Sequence, residues 1–198
     1  MSNILYTIAF NILKALLHLV FPFKVVGMEN IPEGGCMLCG NHTHFADPLF
    51  IVFSLKSDRQ YGAMGKEELF KNKLFAAFFR FAGVFPVARG KNDVSAIRTA
   101  LDVMKKGKKL ILFPEGTRVK PGMTVQPKTG AVRISNKVKK PIVPIYIPEK
   151  KTVLNIFRPM IVVVGQPYIP EIENPNDVDQ LHASAAELMD RIRSLGNR

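Results

Sequence analysis

Cysteine is scarce in this sequence, and repeats are absent from it. The chain has two cysteines among 198 residues, Cys36 and Cys39, which lie three positions apart in a short apolar run. One such pair cannot hold a chain of this length together as the disulfide framework of a small secreted protein does. Neither an internal repeat nor a low-complexity segment is present. With 47% apolar residues, the chain is predicted to form one compact domain, with at most a terminal appendage, in a reducing, cytoplasmic setting.

Early positive charge is also missing, and this excludes a secretory signal peptide. The first cation is Lys14, and Pro22 follows bulky residues where a small-residue cleavage site would be needed.

Residues 3–21 are almost wholly apolar. Their main polar exceptions recur every three or four positions, which places them within about 80° of a helix circumference. These exceptions are Asn3, Thr7, Asn11, Lys14 and His18.

This polar stripe predicts how the first helix lies. A helix that crossed a bilayer would leave the stripe in lipid, whereas a helix in the plane of the interface keeps it in water. Residues 1–21 are therefore predicted to form an amphipathic membrane-interface helix, and a helix that covers the core of its own domain is the alternative. Residues 69–85 form a second apolar stretch, rich in phenylalanine and interrupted by three cations. That composition suits a lipid headgroup boundary or a buried helix.

Acidic residues are few, and they are fewest in the middle of the chain. The formal net charge is +12. Residues 102–151 carry 13 Lys and Arg against 3 acidic residues, whereas residues 1–101 carry 11 against 7 and residues 152–198 carry 4 against 6. A basic patch of this kind attracts phosphates, anionic lipids, acidic proteins or nucleic acid. A solvated face that serves solubility is the alternative.

After Pro22 the sequence alternates between strand and helix patterns. Helices are predicted over residues 66–81, 93–106 and 177–193. The alternation predicts an α/β fold in which a mixed, mostly parallel sheet carries helices on both faces. Strands are predicted over residues 23–26, 36–39, 110–113, 141–147 and 161–164, with a further short strand over 84–87.

A histidine and an aspartate directly follow one predicted strand, where ligands gather in an open α/β sheet. In the segment Asn41-His42-Thr43-His44-Phe45-Ala46-Asp47, the His42 ring and the Asp47 carboxylate are five positions apart and can meet across a turn. A carboxylate on one ring nitrogen leaves the other nitrogen facing substrate. His42 is therefore a candidate general base.

Two further blocks end in arginine. Phe113-Pro114-Glu115-Gly116-Thr117-Arg118 contains a glycine that lets the backbone approach a ligand, a hydroxyl, and a guanidinium that can bind phosphate through two hydrogen bonds. Gly83-Val84-Phe85-Pro86-Val87-Ala88-Arg89 ends in the same way. Two arginines so placed predict one phosphate pocket, and a pair of surface arginines is the alternative.

The order of these blocks resembles the glycerophospholipid acyltransferase family. His42 with Asp47, Gly83 to Arg89, Phe113 to Arg118, and Val143-Pro144-Ile145 are similar to the four blocks of that family. The similarity is greatest to its bacterial 1-acylglycerol-3-phosphate acyltransferases and covers about residues 22–170. It implies that residues 22–198 form a single α/β acyltransferase domain after the interfacial helix.

The resemblance also implies an activity. A fatty acyl group would pass from acyl-CoA or acyl carrier protein to the free sn-2 hydroxyl of 1-acylglycerol-3-phosphate (lysophosphatidate), giving phosphatidic acid. His42 would be the base, supported by Asp47, without an acyl-enzyme, a metal or a bound cofactor, and backbone amides near Gly116 would hold the oxyanion. The expected location is the cytoplasmic face of the cell membrane, as a peripheral or monotopic protein. The implied substrate-binding residues are Lys66, Arg89, Glu115, Gly116, Thr117 and Arg118.

Several alternatives remain open at this point. Cys36, Cys39, His42 and His44 form a compact Cys/His cluster, but residues three apart on a strand face opposite sides, so buried, unreactive cysteines are favoured over zinc. Many family members have serine where His44 stands, and a tolerant position is favoured over a second catalytic imidazole. The same chemistry on glycerol-3-phosphate or another lysophospholipid is possible. A non-catalytic protein that binds lipid surfaces or nucleic acid is the remaining class, although no nucleic-acid motif is recognisable.

Overall fold

The fold is built from seven strands and six α-helices within the residues that our computed structural model describes, which are 2–55, 61–88, 93–120, 122–151, 153–154 and 159–197. The helices are α1 (Ser2–Val20), α2 (Asp47–Ser54), α3 (Lys73–Phe81), α4 (Val94–Lys105), α5 (Gly130–Val138) and α6 (Val178–Ser194). The strands are β1 (Phe23–Val26), β2 (Met37–Gly40), β3 (Tyr61–Lys66), β4 (Val84–Val87), β5 (Lys109–Leu112), β6 (Ile142–Tyr146) and β7 (Met160–Val164).

The strands form one mixed sheet in the order β1-β7-β6-β2-β5-β3-β4. The neighbours from β6 to β4 pair in parallel, β1 pairs in parallel with β7, and β7 is antiparallel to β6. The prediction of a mixed, mostly parallel sheet is therefore confirmed. The last residues of the five parallel strands lie together at one end of the sheet, which we call the carboxyl end.

Helices cover both faces of this sheet, as predicted. The core on one face combines residues of α1 and α2 with the sheet, and the core on the other face combines residues of α4, α5 and α6 with it. Residues 36–39, which lead into β2 and run along it, alternate between the two cores, so that Cys36 packs in the first and Cys39 in the second. The two thiols thus face opposite sides, and burial raises the pKa of each.

Helix α1 has a buried side and an exposed apolar side. Tyr6, Phe10 and Leu17 are buried in the first core, and the Tyr6 hydroxyl lies 2.7 Å from the Tyr61 hydroxyl. Most of the other large apolar residues of α1 are exposed: Ile4, Leu5, Ile8, Ile12, Leu13, Leu16, Leu19 and Val20. The helix therefore belongs partly to the core of the domain, which was the alternative to a purely interfacial helix. None of the described helices has the length and hydropathy needed to span a membrane.

The structure corrects the sequence prediction in the region before α3. The predicted helix over residues 66–81 is wrong in its first half, because Lys66 ends β3 and Glu67–Phe70 form a 3-10 turn. The α-helix begins only at Lys73, where the Asn72 side chain accepts hydrogen bonds from two free amides of the first turn.

Strand β3 and helices α2 and α5 were not among the predicted elements. In β3, a Cβ at Gly62 would lie 2.9 Å from a Val103 methyl group, and one at Gly65 would lie 2.6 Å from Val84. Neighbouring side chains therefore fill the space that a side chain at either glycine would need. This close packing requires glycine, and glycine hides the alternation by which a strand is predicted.

Candidate active site

The sequence motifs converge at the carboxyl end of the sheet. The His42 segment follows β2, and the Phe113–Arg118 block follows β5, which pairs directly with β2. Lys66 is the last residue of β3, on the other side of β5. The block that begins at Gly83 forms β4 next to β3, and its final residue, Arg89, lies outside the described residues.

The His42 ring and the Asp47 carboxylate meet, as the spacing predicts. His42 Nδ1 lies 3.2 Å from Asp47 Oδ2, and both side chains are buried. Asp47 is the first residue of α2, so its carboxylate faces the amides that precede the helix. The Thr43 and His44 amides donate to the same Oδ2 at 2.7 and 2.6 Å. The loop is thus wrapped around the carboxylate that orients the imidazole.

The second Asp47 oxygen has a partner that the sequence motifs do not include. Lys151 Nζ lies 2.8 Å from Asp47 Oδ1, and the Lys151 side chain is 6% exposed. Lys151 lies five residues beyond the end of β6, in the segment that leaves the carboxyl end of the sheet. Asp47 is therefore held between a histidine on one oxygen and a lysine on the other.

These contacts fix the charge of Asp47 and the tautomer of His42. Burial alone would raise the pKa of Asp47, but hydrogen bonds from His42, Lys151 and the His44 amide hold this pKa below its ordinary value. An ionised carboxylate can only accept hydrogen bonds, so the proton of neutral His42 resides on Nδ1. Nε2 is then the unprotonated nitrogen, as general-base catalysis requires.

The backbone of His42 is held by the block that follows β5. Its amide donates to Glu115 Oε2 at 2.7 Å, and its carbonyl accepts from the Val119 amide at 2.8 Å. The His42 ring stacks on the Phe113 ring, with centroids 4.3 Å apart. On the other side, the Asn41 side chain exchanges two hydrogen bonds of 2.8 Å with the backbone of Ile147. The segments that follow β5 and β6 therefore hold the loop that carries the histidine from both sides.

Glu115 is buried and contacts the His42 loop, whereas the sequence prediction assigns it to substrate binding. Burial raises the pKa of Glu115 to about 7, although the hydrogen bond from the His42 amide acts in the opposite direction. The contact that the structure shows is thus one that positions the loop.

Of the other predicted substrate-binding residues, three follow β5 and Lys66 ends β3, at the same end of the sheet as the pair. Gly116 adopts a φ of 69°, and its amide donates to the Phe113 carbonyl, so that amide is not free to hold an oxyanion. The side chains of Thr117 and Arg118 are exposed. Lys66 is half-exposed and lies 2.8 Å from Glu68, an exposed ion pair that a phosphate can replace at small cost.

Comparison with known proteins decides the family. The sequence matches the family model described as Acyltransferase over residues 22–148, more than half of the chain. The chain belongs to the acyltransferase family. This acyltransferase is 29% identical over 198 residues to the 1-acyl-sn-glycerol-3-phosphate acyltransferase of Bacillus subtilis (strain 168), and the alignment covers 98% of each chain. It is 37% identical to the 1-acyl-sn-glycerol-3-phosphate acyltransferase of Streptococcus pneumoniae (strain ATCC BAA-255 / R6), over 50% of this chain and 39% of that protein.

A solved structure shows the same fold. The acyltransferase superposes on the crystal structure of the 1-acyl-sn-glycerophosphate (LPA) acyltransferase PlsC from Thermotoga maritima with a TM-score of 0.65 and 20% identity, covering 100% of this chain and 97% of that one. The predicted α/β fold class is therefore confirmed, and the match to the family model confirms the predicted resemblance.

The contacts of His44 in this acyltransferase are local. Its Nδ1 accepts from the Ala46 amide at 3.3 Å, and its ring packs near Phe21 and Phe45. Burial lowers the pKa of His44, and the nearby Asp47 charge opposes that shift. Among the described residues, no group of three or more His, Cys, Asp or Glu side chains is arranged to hold a metal ion.

Two residues that contact the site were missed by the sequence prediction. Lys151 is one of 13 Lys and Arg in a strongly basic segment, and nothing in the sequence distinguishes it from the exposed lysines around it. Asn41 adjoins the motif histidine, so its position suggests a place in the site. Its contact with Ile147, 106 positions along the chain, could not be predicted because it depends on the pairing of β2 with β6.

Proposed function

We propose that this acyltransferase transfers a fatty acyl group from an acyl thioester to the free sn-2 hydroxyl of 1-acylglycerol-3-phosphate, giving phosphatidic acid. The names of the relatives from B. subtilis and S. pneumoniae support this acceptor, and the former aligns with nearly the whole chain. The observation that carries the chemistry is the buried pair of His42 and Asp47, with Nδ1 and Oδ2 3.2 Å apart.

The pair supports direct transfer. Nε2 of His42 takes the proton of the acceptor hydroxyl as its oxygen attacks the thioester carbonyl, and Asp47 stabilises the imidazolium. The tetrahedral intermediate then collapses, the carbon–sulfur bond breaks, and the imidazolium returns the proton to the leaving thiolate. Cys36 and Cys39 are poor nucleophiles for an acyl-enzyme because both are buried with raised thiol pKa values.

The phosphate of the acceptor is assigned to Lys66, Arg89 and the residues from Gly116 to Arg118. Arg118 is exposed beside the pair, and Lys66 ends the strand next to β5. Within the described part of the chain, the amides of Thr117 and Arg118 have no protein acceptor. These two amides replace that of Gly116 as the proposed donors to the oxyanion or the phosphate.

The proposed location is the cytoplasmic face of the cell membrane, where the protein is peripheral or monotopic. Ile8, Ile12 and Leu16 of α1 are each more than 50% exposed, as are Leu74 and Phe75 of α3. Tyr6 of α1 contacts Phe81 of α3 with ring centroids 5.5 Å apart, so the two apolar helices are neighbours. Such a surface suits the acyl-chain boundary of a bilayer, which is also where lysophosphatidate resides. The proposed donor is acyl-CoA or acyl carrier protein, without a metal or a bound cofactor.

A panel assay with purified protein tests the proposal. Lysophosphatidate, glycerol-3-phosphate and a neutral lysophospholipid are each offered with acyl-CoA and with acylated acyl carrier protein, and lysophosphatidate should give the largest kcat/KM.

His42→Ala should lower kcat by about 10²- to 10⁴-fold with the fold retained, and the matched variant His44→Ala should lose much less. Faster turnover of another acceptor would contradict the proposed substrate. No turnover with any acceptor would favour the non-catalytic lipid-binding interpretation, and an acyl group found on the acid-quenched protein would contradict direct transfer.

A further inference from the structure

A buried lysine touches the proposed catalytic pair from the side opposite the imidazole. Lys151 is 6% exposed at its side chain, although it lies in a segment of mostly exposed cations. Its ammonium lies 2.8 Å from Asp47 Oδ1, donates to the Pro148 carbonyl, and lies 5.7 Å from the centre of the Phe50 ring. A buried ammonium is costly unless it is paired and hydrogen-bonded. Asp47 is the negative charge in contact with this ammonium, and the Pro148 carbonyl supplies a hydrogen-bond acceptor.

We infer that Lys151 is a positioning residue that sets both the orientation and the basicity of the His42–Asp47 pair. This inference rests on the proposed role of His42 as the base. It concerns a residue that lies outside every sequence block of the family and three positions beyond residue 148, where the family match ends.

The orientation follows from the division of the Asp47 carboxylate. Oδ2 accepts from His42 Nδ1 and from the amides of Thr43 and His44, whereas Oδ1 has Lys151 as its charged partner. Removal of the ammonium would leave Oδ1 buried without a charged partner. The carboxylate would keep its three hydrogen bonds on Oδ2, but the orientation of Asp47 beneath the imidazole would rest on that oxygen alone.

The basicity follows from charge. The Asp47 carboxylate favours the imidazolium form of His42, and the Lys151 ammonium on the other side of that carboxylate opposes it. Three further ionisable groups face the pair: Glu115, which accepts from the His42 amide, and His44 and Arg118, whose charges interact within the site. Unlike these three groups, Lys151 is a cation whose ammonium lies against Asp47. Replacement of Lys151 by a neutral residue therefore removes the nearest positive charge that opposes protonation of the pair.

Replacement of Lys151 by methionine tests both effects. Lys151→Met keeps an unbranched side chain and removes the charge. We expect kcat to fall about 10- to 100-fold, the loss known for the outer hydrogen-bond partners of metal-ligating histidines, with both KM values within about twofold of wild type. We also expect the acidic limb of the kcat/KM profile to move to higher pH, because a proton binds the pair more easily once the neighbouring cation is gone.

Two matched variants separate charge from packing. Lys151→Arg retains the cation, so it should restore the position of the acidic limb, but its larger planar head should restore only part of kcat. Lys150→Met removes the exposed neighbouring charge and should behave as wild type in both measurements. Lys151→Arg also keeps the test decisive if the methionine variant does not fold.

An imidazole titration followed by NMR gives a readout that does not need turnover. The His42 resonance is assigned as the histidine signal that disappears in His42→Ala. In the protein without substrate, this signal should titrate at higher pH in Lys151→Met than in wild type or Lys150→Met. Equal titration curves and equal kcat in both methionine variants would overturn the inference, as would a loss of kcat and of thermal stability with an unchanged pH profile. If the wild type turns over no acceptor, the proposed function fails, whereas the titration still decides the role of Lys151.

Discussion

At the scale of single residues, two buried carboxyl groups of the site have pKa shifts of opposite sign. Burial acts on both, but Asp47 accepts hydrogen bonds on Oδ2 and has the Lys151 ammonium 2.8 Å from Oδ1, so that its pKa falls. Glu115 has the His42 amide as its donor, and burial raises its pKa to about 7. A pair of acids separated in this way is typical of sites that need one fixed charge beside one group of variable protonation.

The Glu115 shift predicts how stability depends on pH. Its folded-state pKa of about 7 lies above the ordinary value of 4.5, so the folded state binds this proton more tightly than the unfolded state does. The stability contributed by this group is full below the ordinary value and is lost as pH rises through the folded-state pKa, by on the order of 3 kcal/mol.

Glu115→Gln cannot titrate and should lack this component. The free energy of unfolding of each protein is measured in urea at a series of pH values. The wild-type value minus the variant value should decline between about pH 4.5 and about pH 7 and stay constant outside that window. Parallel curves for the two proteins would show that Glu115 is not perturbed by burial.

The arginines predict a separation between the two substrates. Arg118 and Arg89 each end a motif block, and a phosphate held by two guanidinium groups should depend on both. Replacing either by alanine should raise the KM of lysophosphatidate and leave the KM of the donor nearly unchanged, with Arg→Lys recovering part of the loss. Lys137→Ala, at the end of α5 remote from the site, is the control. A rise confined to the donor KM would place these arginines on the thioester side.

What the sequence could predict at this scale depends on whether a contact is local. His42 and Asp47 are five residues apart, and a carboxylate at a helix start after a strand is recognisable from spacing alone. The contact of Glu115 with the His42 amide spans 73 positions and depends on the pairing of β2 with β5. Lys151 is harder still, since only the fold distinguishes a buried lysine from an exposed one.

At the scale of elements, α1 combines two functions that the sequence could not separate. Its helical period was clear, but apolar residues facing a core and apolar residues facing lipid have the same composition. The structure divides them: Phe10 is 5% exposed and packs against Phe53, whereas Ile12 is 56% exposed. The same reasoning explains why α2 was missed, because its short apolar run is buried against the sheet and carries little helical period.

Variants on the two sides of α1 should therefore fail in different ways. The triple variant Ile8→Gln, Ile12→Gln and Leu16→Gln changes one exposed surface and keeps good helix formers. It should reduce sedimentation with vesicles while the unfolding midpoint stays near wild type. Phe10→Ala removes a buried ring and should cost about 3–5 kcal/mol of stability. If the triple variant unfolds instead, the exposed side of α1 packs on protein.

At the scale of the whole molecule, the basic segment of the sequence divides between two ends of the sheet. One group of lysines lies where α4 and α5 end and β5 and β6 begin, which is the end opposite the site: Lys105, Lys106, Lys108, Lys109, Lys137, Lys139 and Lys140. Arg118 and Lys151 lie at the carboxyl end instead. The excess positive charge of this segment is therefore divided between the two ends of the sheet and is not confined to the site.

This distribution predicts that membrane binding has two contributions with different responses to salt. Each cation near an anionic bilayer contributes about 1 kcal/mol at low ionic strength, and the contribution is lost as the screening length falls to a few ångströms. Burial of the exposed apolar side of α1 does not depend on screening in this way.

Partition onto vesicles containing phosphatidylglycerol should therefore fall at least about tenfold between about 50 mM and about 500 mM salt. The level that remains should match partition onto neutral phosphatidylcholine vesicles, and the triple glutamine variant of α1 should abolish it. If binding to anionic vesicles is insensitive to salt, the lysines do not face the lipid. Complete release by salt alone would show that α1 contributes no apolar anchoring.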